Sequence, residues 1–269
     1  MTTYQTIRYE RSEHTGMLTL ARPEKRNAQN PLMWRELTQL GEELLPDDTL
    51  RCLVVAGDGP SFSAGIDLVE GLAGMLAGFA ERPTDERTLE AGLVAAGTFG
   101  WIPRLGCPSV AAVQGHAFGA GLHLALACDF RIFAQSATVG LIETRFGIMP
   151  DMGATVRLPR IVGESRAREL ILLGEVIDAS EAQRIGLANR VVEDTALELA
   201  AAELAALIAA QPPLAIRGAR QAIDAAWYLD PEDSLRVAVE AQIRCLASDD
   251  FKEAGQAMAD GRPPQWEGR

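Results

Sequence analysis

Apolar and polar residues alternate over 4–10 and again over 17–21, with a turn-prone stretch at 13–16 between them. A period of two predicts a β-hairpin. Pro31 suits the first turn of a helix running to about residue 45. Residues 51–56 form a short apolar run that predicts a buried strand. From 70 to about 100 a helical pattern is broken by Gly71, Gly74, Gly78, Pro83, Gly92 and Gly97. That density of breakers predicts a mobile or loosely packed segment of the kind that covers a substrate site. Strands are predicted again at 109–113 and 130–133. Helical periodicity then fills the last third, at about 164–173, 195–209, 213–227, 232–246 and 249–260, with Pro212-Pro213 and Asp230-Pro231 at the joints. Strands alternating with helices, followed by helices alone, predict an α/β fold with a helical C-terminal region. No clear sequence repeat accompanies it.

Composition narrows the class of protein. The 269 residues suffice for one large domain, or one domain with a helical appendage, and 48% of them are hydrophobic. No apolar run is long enough to cross a bilayer, and no signal-peptide pattern opens the sequence. The alanine-rich stretch 196–210 contains Glu198 and Glu203 and reads as a packed helix. Cys52, Cys107, Cys128 and Cys245 lack metal-ligand spacing, and three of them sit in apolar runs. Reduced, buried thiols and a cytoplasmic location are therefore expected. A net charge of −12 without a basic face argues against nucleic acid as a partner.

Two segments carry candidate chemistry. In Cys107-Pro-Ser-Val-Ala-Ala-Val-Gln-Gly115-His-Ala-Phe-Gly119-Ala120-Gly121, a strand breaks through glycines into a strongly apolar helix. Such a junction leaves backbone N–H groups unpaired beside the positive end of a helix dipole, suited to an anion or a developing oxyanion. The same glycines would also serve a tight strand–helix packing. In Gly59-Pro-Ser-Phe-Ser63-Ala64-Gly65-Ile66-Asp67-Leu68, a second strand ends in a similar turn. Two converging donors are the minimum set for polarising a carbonyl.

Together and in this order, the two segments resemble the crotonase superfamily, the enoyl-CoA hydratase/isomerase family. The resemblance extends along nearly the whole chain. Arg22-Pro-Glu-Lys25-Arg26-Asn27-Ala28 is similar to the family's first coenzyme A-contacting turn, and Ser63–Leu68 to its second. Pro159–Gly163 and Ala179–Ala188 resemble the helical segments after the active site, and Phe251-Lys252-Glu253-Ala254 the C-terminal helix that can reach coenzyme A. The resemblance implies a spiral of strand–strand–helix repeats over 1–195 and a helical trimerisation region over 196–269. It implies a homotrimer or hexamer acting on an acyl-CoA, with no metal or redox cofactor and coenzyme A only as part of the substrate. Ile66 and Ala120 would donate backbone N–H bonds to the thioester oxygen. Arg22, Lys25, Arg26, Ala28, Ala64, Asp67, Leu68 and Lys252 would surround the coenzyme A.

The catalytic positions depart from the family's hydratases, which carry a glutamate just after the glycine cluster and a second about twenty residues later. The first position here is His123 and the second is Glu143. Histidine exchanges protons near neutral pH and could replace the missing group; a histidine hydrogen-bonded for structural reasons is the other possibility. Asp151 lies eight residues beyond Glu143. In the family's dienoyl-CoA isomerases a glutamate and an aspartate at this spacing form the proton-transfer pair. Asp151 could equally cap a helix beginning near Gly153. His116, His14, Trp101 and Phe118 are expected to serve structure or solvent. Glu143 as principal acid/base, Asp151 as partner and His123 as auxiliary favour double-bond isomerisation at least as much as hydration. An acyl-CoA-binding protein with little turnover, and a structural assembly subunit, are the readings from other classes.

Overall fold

Ile7, Leu18 and Leu20, the inward members of the first alternating stretches, are buried under the N-terminal hairpin. The computed structural model describes residues 3–71 and 86–269. In it, strands β1 (Ile7–Ser12) and β2 (Thr15–Leu20) pair antiparallel. The turn is tighter than the sequence predicted: Glu13 adopts φ +47° and Thr15 already pairs with Ser12. β2 runs parallel to β3 (Cys52–Gly57), which leads in parallel to β4 (Ser109–Val113), β6 (Phe130–Ala134) and β9 (Arg190–Val192). The sheet order is β1-β2-β3-β4-β6-β9. β4 is buried along its whole length, as expected for a parallel strand covered on both faces.

A second, smaller sheet explains the spiral. After β4 the chain turns at Gln114-Gly115 into β5 (His116–Phe118), and after β6 at Gln135–Ala137 into β7 (Thr138–Gly140). β5 and β7 pair parallel, and β8 (Val176–Asp178) closes that sheet antiparallel to β7. Gly115 makes the first corner at φ +55°, where a Cβ would collide with the Pro60 carbonyl. Isolated bridges Gln29↔Ile66 and Ser63↔Ala117 continue the small layer toward the N-terminus. Each turn of the chain thus lays a strand in the large sheet, a strand or bridge in the small one, and then a helix. This is the expected crotonase-type spiral.

Helix α1 (Pro31–Leu44) starts with Pro31 and an Asn30 cap whose side chain accepts from Met33 N–H at 2.9 Å. It buries Met33, Leu37, Leu40 and Leu44. The glycine-broken stretch 70–100 is described in part as α2 (Glu86–Ala96), while residues 72–85 of it lie outside the described residues. Helix α3 (Ala120–Ala127) is buried on all sides. Next come α4 (Ala154–Val162), α5 (Glu164–Leu172) and α6 (Ala179–Arg184). The remaining helices are α7 (Leu197–Ala209), α8 (Pro213–Ala225), α9 (Pro231–Leu246) and α10 (Asp249–Asp260).

One face of the large sheet joins the main core with α1 and α3. On the other, Leu197, Ala201 and Ala205 of α7 cover Cys52, Val54, Val110, Ala112, Ile132 and Ala134. Helix α7 therefore shares a core with the sheet, although it follows residue 196. Cys52, Cys107 and Cys128 are buried, Cys245 is partly so, and all four are free, as their apolar runs predicted. Among the described residues, no single helix is long and apolar enough to cross a membrane.

Candidate active site

The two glycine-bearing loops are stapled to each other. Ser63 N–H donates to His116 O at 2.8 Å, and Phe118 N–H donates to Ser63 O at 3.0 Å. Two glycines allow this approach. A Cβ at Gly121 would overlap the Ser63 carbonyl, and one at Gly65 (φ +95°) would overlap that of Phe118 while lying 3.8 Å from Ala120 N. Ile66 and Ala120, one from each loop, thereby border a single cleft of about 630 Å³. Among the described residues, neither of their N–H groups donates to a protein acceptor. Ala120 is the first residue of α3, and its cap, Gly119, has no side chain to occupy the open N–H groups of the helix end. Donors so placed are suited to stabilising an oxyanion.

Glu143 opens a 3₁₀ turn, Glu143–Phe146, just after β7 and is buried against the same cleft. Gly119 and His123 confine its carboxylate. A Cβ on Gly119 would lie 3.2 Å from Oε1, and His123 Nε2 lies 3.2 Å from that oxygen. The His123–Glu143 pair is in ion-pair range but not aligned as a hydrogen bond, and among the described residues both Nε2 and Glu143 Oε2 are buried without a hydrogen-bond partner. His123 is only 1% exposed, and its Nδ1 accepts the Ala154 N–H at 3.1 Å.

Asp151 is exposed and lines the cleft. It is not a helix cap: Gly153 (φ +94°) takes the N-cap of α4, with no side-chain hydrogen bond. Thr144, Gly147, Ile148, Met149 and Met152 complete the lining and were not singled out from sequence. The available signal was the apolar pair Ile148-Met149 between Gly147 and Pro150; both residues are exposed.

The residues expected around coenzyme A divide into braces and open groups. The Arg22 guanidinium is buried and spent inside the protein, donating to Ala28 O at 2.6 Å and pairing with Asp67 and Glu70 at 3.2 Å. Its charge is thus paired within the protomer, at a position where the resemblance implies contact with coenzyme A. Asp67 also braces its loop: hydrogen bonds from Glu70 N–H and Val69 N–H, with the Arg22 guanidinium, hold its carboxyl below the usual range. Lys25 and Arg26 are exposed beside them, and Arg26 O accepts from Ala64 N–H at 2.9 Å, tying the two turns together. Ala28 and Ala64 are partly exposed and Leu68 fully so.

Lys252 is not brought to the cleft within the protomer. It pairs with Asp249 at 2.7 Å on α10, among Asp250, Glu253 and Glu267. Sequence reasoning also missed Asn27. Held at φ +54°, it accepts from Arg22 N–H and donates to Asp58 O and Ser61 O, so the first turn folds around a buried amide. His116 bonds Ser61 Oγ at 2.9 Å, His14 lies 3.0 Å from Thr49 O, and Trp101 packs in the core against Gly41.

Two free N–H groups from separate loops, beside a buried carboxylate, define a site of the kind that moves protons next to a carbonyl. The comparisons agree. The enoyl-CoA hydratase/isomerase family model matches residues 10–269. The crotonyl-CoA hydratase of Syntrophomonas wolfei is 33% identical over 260 residues, 96% of each chain. The crystal structure of enoyl-CoA hydratase from Bacillus anthracis superposes with a TM-score of 0.89 at 34% identity, covering 98% of this chain and 100% of that one. A Thermobifida fusca chain solved in complex with CoA matches at a TM-score of 0.79 and 34% identity, over 90% of this chain and 93% of its own. The chain belongs to the enoyl-CoA hydratase/isomerase family.

Proposed function

We propose that the protein shifts the double bond of an enoyl-CoA thioester. The thioester oxygen accepts hydrogen bonds from Ile66 and Ala120 N–H, which strengthen as negative charge develops on it. Glu143 takes a proton from the saturated carbon next to that carbonyl, and the C–H electron pair becomes part of the enolate, which extends over the neighbouring double bond. Glu143 or Asp151 then delivers a proton to a different carbon of the conjugated system, so charge balances and only the double bond has moved. Lys25 and Arg26, with Ala28, Ala64 and Leu68, hold the coenzyme A portion. The shuttle runs on the protein's own groups, with coenzyme A as part of the substrate, in a cytoplasmic homotrimer or hexamer.

The observation that carries this reading is the set of carboxylates on the cleft. Glu143 and Asp151 line it, while His123, where the resemblance implies the first hydratase glutamate, already accepts from Ala154 N–H through Nδ1. Water addition is the second reading, favoured by the hydratase names of the relatives. A panel of enoyl- and dienoyl-CoA thioesters in deuterated water, followed by mass spectrometry, separates the two. Deuterium incorporation with a shifted double bond and no added water is the expected outcome. Addition of water would establish the second reading. Binding without either change would leave an acyl-CoA-binding protein and overturn both.

A further inference from the structure

His123 is the least expected residue of the site, and its surroundings define its protonation. Nδ1 accepts the Ala154 N–H at 3.1 Å, so the Nδ1 lone pair is occupied and that nitrogen carries no proton. Ala154 is the first residue of α4, whose cap Gly153 supplies no side-chain acceptor. The imidazole, reaching across from α3, therefore satisfies a donor that the helix end would otherwise bury unpaired. The neutral ring must then hold its single proton on Nε2, the nitrogen 3.2 Å from Glu143 Oε1.

We infer that His123 is a positioning residue, a neutral Nε2–H donor that holds Glu143 Oε1 and leaves Oε2 as the oxygen that takes the substrate proton. A ring in this state cannot serve as a base, because its only free nitrogen is already protonated; serving as an acid would leave an imidazolate. Aiming the carboxylate remains open to it. Gly119 also borders Oε1 closely, since a Cβ there would lie 3.2 Å from that atom. Oε2 is buried and has no partner among the described residues, as a base awaiting its proton would be. The imperfect alignment of the Nε2–Oε1 contact fits a substrate-free site, where catalytic hydrogen bonds commonly tighten only on binding. This role rests on the proton transfer proposed above, with Glu143 as its base.

The two ring nitrogens can be tested separately. Asparagine places an acceptor near the Nδ1 position but has no donor near Nε2; glutamine places a donor near Nε2 but has no acceptor near Nδ1. His123→Asn should lower kcat by roughly ten- to a hundredfold, the loss of a hydrogen bond to a charged group, with little change in KM. His123→Gln should recover most of that rate while melting at a lower temperature, because Ala154 N–H loses its acceptor. Equal loss of kcat in both variants would overturn the inference in favour of proton transfer by the ring. Lower melting temperatures with unchanged kcat would overturn it in favour of a purely structural histidine.

A second measurement needs no substrate. The ¹⁵N spectrum of protein labelled at its 3 histidines, with His123 assigned by its loss in His123→Gln, reports the tautomer directly. The Nε2–H form is expected at neutral pH. An Nδ1–H form or an imidazolium would overturn the assignment even in a protein that turned over every substrate offered. Conversely, the Nε2–H form in a protein with no turnover would uphold the tautomer and fail the proposed reaction.

Discussion

Among the described residues Glu143 Oε2 is a buried oxygen with no hydrogen-bond partner, an arrangement that costs stability and that a proton-transfer site can retain for its reaction. Glu143→Gln should therefore leave the fold intact and keep CoA affinity while cutting turnover by roughly a hundred- to ten-thousandfold. Asp151→Asn should be comparably damaging if the double bond is shifted, because a proton must leave one carbon and reach another. Since Asp151 caps no helix, its loss should not move the melting temperature. Steady-state kinetics and thermal melts of the two variants check both statements; wild-type turnover in a folded Glu143→Gln enzyme would contradict the mechanism. At this scale the sequence was legible where chemistry is tied to local motif: Ile66, Ala120, Glu143 and Asp151 all fall on one cleft. It did not show that Arg22 is buried. A cation in a polar turn reads as a surface group, and only the distant partners Asp67 and Glu70 turn it inward.

Elements were legible in proportion to their length. Strands β3, β4 and β6 appear as apolar runs, whereas β5, β7, β8 and β9 have only 3 residues each, too few to show a period. Their existence depends on pairing between successive turns of the spiral. Helix α4 was expected to begin near Gly153 and does so, although Pro159 in its interior weakens its periodicity. The apolar strand and helix ends also set the state of the thiols. Burial pushes Cys107 and Cys128 up to about 12, and Cys52 higher still. Unfolded thiols ionise near 8.5, so these groups contribute stability fully present below that pH and progressively lost as pH rises toward 12. Titration with a thiol reagent at mildly alkaline pH should find one reactive group, Cys245, in the native protein and all 4 after denaturation. Rapid reaction of more than one native thiol would show that the sheet and α3 are less closed than described.

The whole molecule presents a surface that a lone chain does not need. Leu235, Val239, Ile243 and Leu246 are exposed and recur at intervals of four, four and three residues, which places them on one face of α9. Ile223 and Leu229 add exposed apolar surface nearby in sequence, on α8 and the link to α9, and the two helices pack so closely that a Cβ on Gly218 would lie 3.0 Å from Ala241 Cβ. Exposed apolar residues repeated along one helix face are the kind of surface that association would cover. The spiral itself was not legible as a sequence period, because its turns share geometry without sharing residues; it entered through resemblance, as did the expectation of a trimer. The apolar stripe on α9 is a surface that such an assembly would bury. Light scattering should therefore return three or six times the 28.9 kDa chain mass. Val239→Asp combined with Ile243→Asp, on the exposed face of α9, should shift the population toward monomer without lowering its helical content. A wild-type protein that stays monomeric at micromolar concentration would remove the trimer from the proposal and leave the apolar stripe without a partner.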